Sequence, residues 1–172
     1  MRFRLRAATV LAAASVLVLT ACSSDAQQES VASAPTLSSV FDFTARTVSG
    51  SDFVGADLAG QPVVLWFWAP WCVICRAEAP AVATVAAEFE GRVSFVGIAG
   101  HGQNEEMAAF VEETGTGDFT QVADIDGSLW LRFGIIAQPS FVFMMPDGQM
   151  QVFAGSLGAE ELRDGANQLL AG

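Results

Sequence analysis

The sequence predicts an α/β fold in which helices flank a central mixed sheet. Two runs, residues 63–68 and 93–98, are predominantly apolar on both faces, the pattern of buried strands. A helical pattern over residues 73–89 connects them, and a helical crossover joins parallel strands. Two later runs, residues 141–145 and 150–154, flank the turn sequence Pro-Asp-Gly-Gln and are predicted to pair antiparallel.

Residues 1–21 form a predicted targeting signal that is not part of the fold. Arg2, Arg4 and Arg6 precede an apolar stretch over residues 7–19. This stretch is too short to span a bilayer comfortably, and it suits the core of a signal peptide.

The signal ends in a sequence that resembles the lipobox of bacterial lipoproteins. Leu19, Thr20 and Ala21 precede Cys22, so we expect cleavage before Cys22 and lipid on its sulfur. Several acyl chains anchor a protein stably, whereas one chain binds only marginally. Residues 22–39 are rich in Ser, Ala and Gln and are predicted to be a flexible tether. The protein is thus expected outside the cytoplasm, anchored to the cell membrane; the alternative is a plain secretory signal with an incidental cysteine.

Shorter patterns predict the other elements of a domain over residues 40–172. Residues 41–48 and 51–54 alternate as two short strands, and a loop follows them. Acidic residues in a first turn favour a helix over residues 104–114. The remaining predictions are a short strand over residues 119–122, a short helix over residues 128–133, and a final helix over residues 159–171 with one apolar stripe.

A pair of cysteines directly after the first buried run is the candidate reactive centre. Cys72 and Cys75 lie three positions apart where a helix begins, so their sulfurs share one face of its first turn. Free backbone N–H groups at that helix end favour the thiolate form of Cys72 and make it the attacking sulfur. Cys75 is expected to resolve the mixed disulfide that Cys72 forms with a substrate. The alternatives are a static disulfide and half of a metal site.

The composition argues against a metal, a cofactor and nucleic acid. Zinc needs four ligands, and beyond the two cysteines the sequence offers one histidine and carboxylates. That histidine, His101, lies between glycines and is expected at the surface. Covalent haem needs a histidine after the second cysteine, where Arg76 stands. The formal net charge is −11, without any lysine, whereas nucleic acid binds to basic patches.

Three sequence features, in this order and spacing, resemble one family. They are Trp-Phe-Trp-Ala-Pro-Trp-Cys at residues 66–72, Cys-Arg-Ala-Glu-Ala-Pro at residues 75–80, and a Gln-Pro pair at residues 138–139. On these motifs residues 41–172 resemble the extracytoplasmic TlpA/ResA/DsbE-like group, most of all actinobacterial DsbE/DsbF-type secreted proteins. The resemblance implies a thioredoxin-like fold and thiol–disulfide oxidoreductase activity. A peroxiredoxin-like site is not expected, because Ala69 stands where that family's motif has Thr or Ser.

The resemblance also implies roles for residues around the dithiol. The proline that matches Pro139 is cis and lies against the dithiol, so the backbone of Gln138, often Thr in the group, is expected to pair with a substrate peptide. Glu78 matches an acid that ResA-like proteins place near the dithiol, where it would raise thiol pKa values and carry protons. The alternative for Glu78 is a solvated surface acid. Trp66 replaces a buried Asp of thioredoxin. Trp71 is expected to pack, or to shape the substrate surface.

The sequence therefore predicts a lipid-anchored thiol–disulfide oxidoreductase that faces out of the cytoplasm. Its expected partners are exported cysteine-containing proteins, to which it donates disulfides, and a membrane redox partner that reoxidises it. One alternative is a reductant of apocytochrome c or of other exported disulfides. Another alternative is a non-catalytic lipoprotein binding module whose disulfide is inert.

Overall fold

A seven-stranded mixed sheet runs through residues 40–171, the part of the chain that this computed structural model describes. Its strands are β1 (Thr44–Thr47), β2 (Asp52–Val54), β3 (Val63–Trp68), β4 (Ser94–Gly100), β5 (Thr120–Asp124), β6 (Ser140–Met144) and β7 (Met150–Ala154). The spatial order is β2-β1-β5-β4-β3-β6-β7. β4 pairs parallel with both β3 and β5, whereas the other neighbours pair antiparallel. The predicted mixed sheet is confirmed.

Four α-helices flank the sheet within the described residues: α1 (Val73–Glu88), α2 (Asn104–Thr114), α3 (Ser128–Arg132) and α4 (Ala159–Ala171). β3 lies between them, and all six of its residues are buried. Alternate residues of β3 enter two apolar clusters, one shared with α1, α2 and α4 and the other shared with α3. Each large side chain that such a core buries stabilises the fold by about 1.5–3 kcal/mol. Because both faces of β3 are covered, every position of this strand favours an apolar residue.

Most of the predicted elements form within a residue or two of their predicted bounds. β3, β7, α2 and α4 have the predicted bounds. The strand predicted over residues 41–48 is shorter, because the backbone N–H of Phe43 turns back to the Phe41 carbonyl at 2.8 Å instead of joining a ladder. A 3-10 helix at Gly55–Leu58 precedes the predicted loop. The β6–β7 turn closes through the Gly148 N–H and the Met145 carbonyl at 2.9 Å, as its sequence predicts.

The predicted signal peptide over residues 1–21 and the tether over residues 22–39, including Cys22, lie outside the described residues. Among residues 40–171, none of the helices has the length and apolar character needed to cross a bilayer.

Candidate active site

Cys72 lies where β3 leads into α1, at the carboxyl end of the most buried strand. Its backbone N–H donates to the Ala69 carbonyl at 3.0 Å, which closes the turn after the strand. Cys72 is also the N-cap of α1, and its Sγ accepts a hydrogen bond from the backbone N–H of Cys75 at 3.0 Å. The sulfur therefore faces the free N–H groups of the first helical turn, which stabilise a negative charge there.

The two cysteines form a disulfide and differ in access to solvent. Their Cα atoms are 5.3 Å apart. Cys75 is fully enclosed, whereas Cys72 keeps 6% of its surface exposed. Within this disulfide, solvent therefore contacts Cys72 and not Cys75.

Glu78 lies one helical turn after Cys75 and is buried, with 6% of its surface exposed. Trp66 Nε1 donates to Glu78 Oε1 at 2.8 Å, and the backbone N–H of Leu157 donates to Oε2 at 3.3 Å. Burial raises the pKa of the Glu78 carboxyl, and hydrogen bonds from Ser156, Trp66 and Leu157 offset part of that rise. The alternative of a solvated surface acid is therefore wrong for Glu78.

Trp66 provides a hydrogen-bond donor at the strand position where thioredoxin has an acid. Its ring is buried in the core and packs on Trp68, with 5.8 Å between ring centroids. That packing fixes the direction of the indole N–H toward Glu78. The buried acid on this side of the sheet therefore comes from α1 rather than from β3.

Exposed apolar side chains lie next to Cys72 in the chain. Trp71 is 60% exposed, Val73 is 80% exposed and Ile74 is 56% exposed. The expectation that Trp71 packs in the core is therefore wrong. The exposed ring is instead available to contact a substrate. Its one polar atom, Nε1, donates to the carbonyl of His101 at 2.8 Å.

Arg76 of α1 contacts the active-site loop, residues 69–72 between β3 and α1. Its Nη2 donates to the Pro70 carbonyl at 3.3 Å, and its guanidinium lies 4.8 Å from the centroid of the Phe110 ring. The same guanidinium pairs with Glu113 of α2. These contacts join the loop before Cys72 to α2.

The peptide bond between Gln138 and Pro139 is cis, as expected. Antiparallel pairing of Phe67 with Ser140 places the start of β6 beside the end of β3, so Pro139 lies at the same sheet edge as the dithiol. Pro139 is buried, and its carbonyl accepts from the Gly155 N–H at 2.9 Å.

Several contacts at the site were not predicted from the sequence, among them the Trp66–Glu78 hydrogen bond and the hydrogen bond from the Trp71 indole to the His101 carbonyl. The Gly-His-Gly sequence was the available signal for the second contact. Within residues 40–171, no group of three or more His, Cys, Asp or Glu side chains is arranged to hold a metal ion.

This sheet topology, with a dithiol at the N-terminus of the helix after the central strand and a cis-proline at the same edge, defines a thioredoxin-fold dithiol protein. The chain belongs to the AhpC/TSA family, whose model matches residues 37–153. Within the thioredoxin-like proteins it is of the DsbE/DsbF type, as its relatives show.

The relatives share both sequence and fold with this chain. The soluble secreted antigen MPT53 of Mycobacterium tuberculosis is 48% identical over 106 residues, which are 62% of this chain and 60% of that relative. The structure of MTB dsbF is 45% identical, with a TM-score of 0.73 over 76% of this chain and 96% of that one. A secreted M. tuberculosis disulfide oxidoreductase homologous to E. coli DsbE is 40% identical, with a TM-score of 0.71 over 75% and 97%. The chain spans about 60% of the length of the curated relative.

Proposed function

We propose that the protein is an extracytoplasmic thiol–disulfide oxidoreductase that donates its Cys72–Cys75 disulfide to exported proteins. The observation that carries this proposal is the N-cap position of Cys72, whose Sγ accepts the Cys75 N–H at 3.0 Å. The names of the M. tuberculosis relatives, a secreted antigen and a secreted disulfide oxidoreductase, support the location and the chemistry.

The reaction follows from the unequal positions of the two sulfurs. A substrate thiolate attacks Cys72 Sγ, the Cys72–Cys75 bond breaks, and Cys75 leaves with the electron pair and takes up a proton. A second substrate thiolate then attacks the substrate sulfur of the mixed disulfide, and Cys72 leaves as a thiolate that the helix end stabilises. The substrate loses two electrons and its two thiol protons. The dithiol gains the electrons and passes them to a membrane redox partner.

Glu78 is proposed to supply the proton that Cys75 needs. Residues three apart on a helix are neighbours, so Glu78 lies on the Cys75 face of α1. Because burial raises its pKa, the Glu78 carboxyl holds a proton at a pH closer to neutrality than an exposed glutamate does. The backbone of Gln138, next to Pro139, is proposed to pair with the substrate chain, and Trp71 to contact it.

The direction of electron flow depends on what stabilises the reduced thiolate. The helix end favours a Cys72 thiolate and so makes the disulfide more oxidising, whereas the negative charge of Glu78 opposes it. Glu78 thus favours the second candidate, a reductant of exported disulfides. Equilibration with glutathione separates the two: donation predicts a potential well above the roughly −270 mV of thioredoxin, toward the roughly −120 mV of DsbA. A potential at or below that of thioredoxin, without oxidation of a reduced unfolded protein, would establish the reductant.

Variants of the two cysteines test the proposed mechanism directly. Cys75→Ala is expected to accumulate mixed disulfides with substrate proteins on a non-reducing gel, because the resolving sulfur is gone. Cys72→Ala is the matched control and is expected to trap none, because Cys75 is enclosed. Equal trapping by both variants would contradict the assignment. A wild-type disulfide that resists mild reductant would instead indicate an inert binding module.

Lipid attachment at Cys22 is proposed from the lipobox resemblance of residues 19–22. The named relative MPT53 is a soluble secreted antigen, so the anchor needs its own test. Cys22→Ser is expected to move the protein from the membrane fraction to the medium and to abolish labelling by a palmitate analogue. A wild-type chain that is already unlabelled and soluble would show a plain secretory signal.

A further inference from the structure

The loop between β4 and α2 contains a residue in an unfavourable backbone conformation. His101 has φ 55°, and it is the one non-glycine residue with positive φ among residues 40–171. The left-handed region is unfavourable for most L-residues, because Cβ then lies too close to a backbone carbonyl oxygen. Such a conformation persists where its surroundings enforce it, often beside a functional site.

The glycines on both sides show how tightly this loop is seated. A Cβ atom on Gly100 would lie 2.5 Å from Trp130 Nε1, and one on Gly102 would lie 2.4 Å from Cγ of Pro70. Both distances are shorter than van der Waals contact. His101 is therefore held between the buried Trp130 on one side and the active-site loop on the other.

His101 makes one contact in each direction. Its ring meets the Trp130 ring edge-on, with 4.5 Å between centroids and 84° between planes. Trp130 itself donates to the Ile98 carbonyl of β4 at 3.3 Å, so its ring is tied to the sheet. In the other direction the His101 carbonyl accepts the indole N–H of Trp71 at 2.8 Å. A chain of contacts thus links the core to the exposed ring beside the reactive cysteine.

We propose that His101 is a positioning residue that holds Trp71 in one orientation on the proposed substrate surface beside Cys72. The left-handed backbone directs the His101 carbonyl at Trp71, and the ring contact with Trp130 maintains that backbone. Because Trp71 is already ordered before substrate arrives, binding a polypeptide need not immobilise its side chain. This inference rests on the proposed exchange activity.

The choice of histidine supports a role beyond a simple turn. Glycine and asparagine enter the left-handed region more readily, but neither offers an aromatic edge to Trp130. A small thiol needs to contact only the Cys72 sulfur, whereas a polypeptide also contacts the surface around it. The position of Trp71 therefore affects exchange with a polypeptide more than exchange with a small thiol.

The test combines indole NMR with two reaction rates, using the full chain in detergent. Each of the four tryptophans donates its indole N–H, to Glu78, Gln121, His101 or Ile98, so the ¹⁵N spectrum is expected to show four protected signals. Trp71→Phe identifies the Trp71 signal by its loss. His101→Asn and His101→Gly are expected to shift that signal and speed its exchange with water, while the Trp66 signal stays in place.

Relative to wild type, the same variants are expected to slow the reaction with reduced, unfolded ribonuclease more than the reaction with glutathione. The rate constant for ribonuclease divided by that for glutathione should therefore fall about two- to tenfold, the factor for ordering one large side chain on binding. Gly115→Asn is the matched control, since Gly115 is also left-handed, at φ 68°, and its Cβ position is open. It should leave both the ratio and the Trp71 signal unchanged.

An unchanged ratio in both His101 variants would overturn the proposal, as would an unchanged Trp71 signal. A fall in the ratio that Gly115→Asn reproduces would also overturn it, because the cause would then be general loss of stability. A wild-type chain that is inert toward both glutathione and ribonuclease would refute the proposed function instead.

Discussion

Glu78 and Asp124 are two carboxylates that the fold buries, and burial raises the pKa of both. Their partners differ. Asp124, at the end of β5, accepts the backbone N–H groups of Leu129 at 3.1 Å and Trp130 at 2.9 Å, the free donors at the start of α3. Glu78 instead accepts the indole N–H of Trp66 and two hydrogen bonds from the segment before α4, one from the Ser156 side chain and one from the Leu157 backbone N–H at 3.3 Å.

A raised pKa therefore does not by itself identify a functional acid. Asp124 gives structure to the chain immediately after it, because it satisfies N–H groups that a short helix leaves free. Glu78 joins elements far apart in sequence and lies one turn from Cys75. Position relative to the dithiol, rather than the pKa shift, separates the proposed proton carrier from the structural cap.

The largest effect expected from this comparison is on stability. Asp124→Ala leaves two backbone N–H groups without an acceptor, and each buried unsatisfied group costs about 1–3 kcal/mol. We expect a loss of about 2–4 kcal/mol in the free energy of unfolding, measured by urea denaturation. Asp124→Asn keeps one acceptor oxygen and should lose less. A loss in Asp124→Ala below that of Glu78→Ala would reverse the assigned roles.

The sequence pattern predicted the elements better than the contacts between them. β3 and α4 have their predicted bounds because a continuous apolar run of 6 residues has the length of a strand, and a single apolar stripe repeats at helical spacing. The burial of Glu78 depends on how α1 is rotated over β3, which decides whether Trp66 reaches it. Likewise, left-handed His101 lies between Gly100, which is close to Trp130, and Gly102, which is close to Pro70, and no local sequence pattern encodes these contacts.

A smaller effect is expected on thiol reactivity, and only at Glu78. A carboxylate near the dithiol opposes a thiolate, so Glu78→Gln should raise the rate at which iodoacetamide alkylates reduced Cys72 at pH 6–7, by about three- to tenfold. Asp124→Asn is the matched control, as a neutral amide also replaces a buried carboxylate there. Overlapping rate profiles for Glu78→Gln and wild type would leave Glu78 without a role at the dithiol.

The smallest expected effect is on the pH dependence of stability, where the two carboxylates should behave alike. A carboxyl whose pKa is higher in the folded than in the unfolded chain binds its proton more tightly when folded. Its stabilisation is therefore complete below the unfolded pKa, about 4.3 for Glu and 3.9 for Asp, and is lost as pH rises through the raised folded pKa.

Glu78→Gln and Asp124→Asn cannot ionise, so each should gain stability relative to wild type as pH rises from 4 to 8. One pKa unit corresponds to about 1.4 kcal/mol, which sets the scale of the gain. Urea midpoints at several pH values, with the protein oxidised so that the thiols do not titrate, give both difference curves. A difference curve that falls with pH at Glu78 but rises at Asp124 would mean that the hydrogen bonds from Ser156, Trp66 and Leu157 outweigh burial at Glu78. The Glu78 carboxylate would then stay ionised, and the proton for Cys75 would have to come from another group.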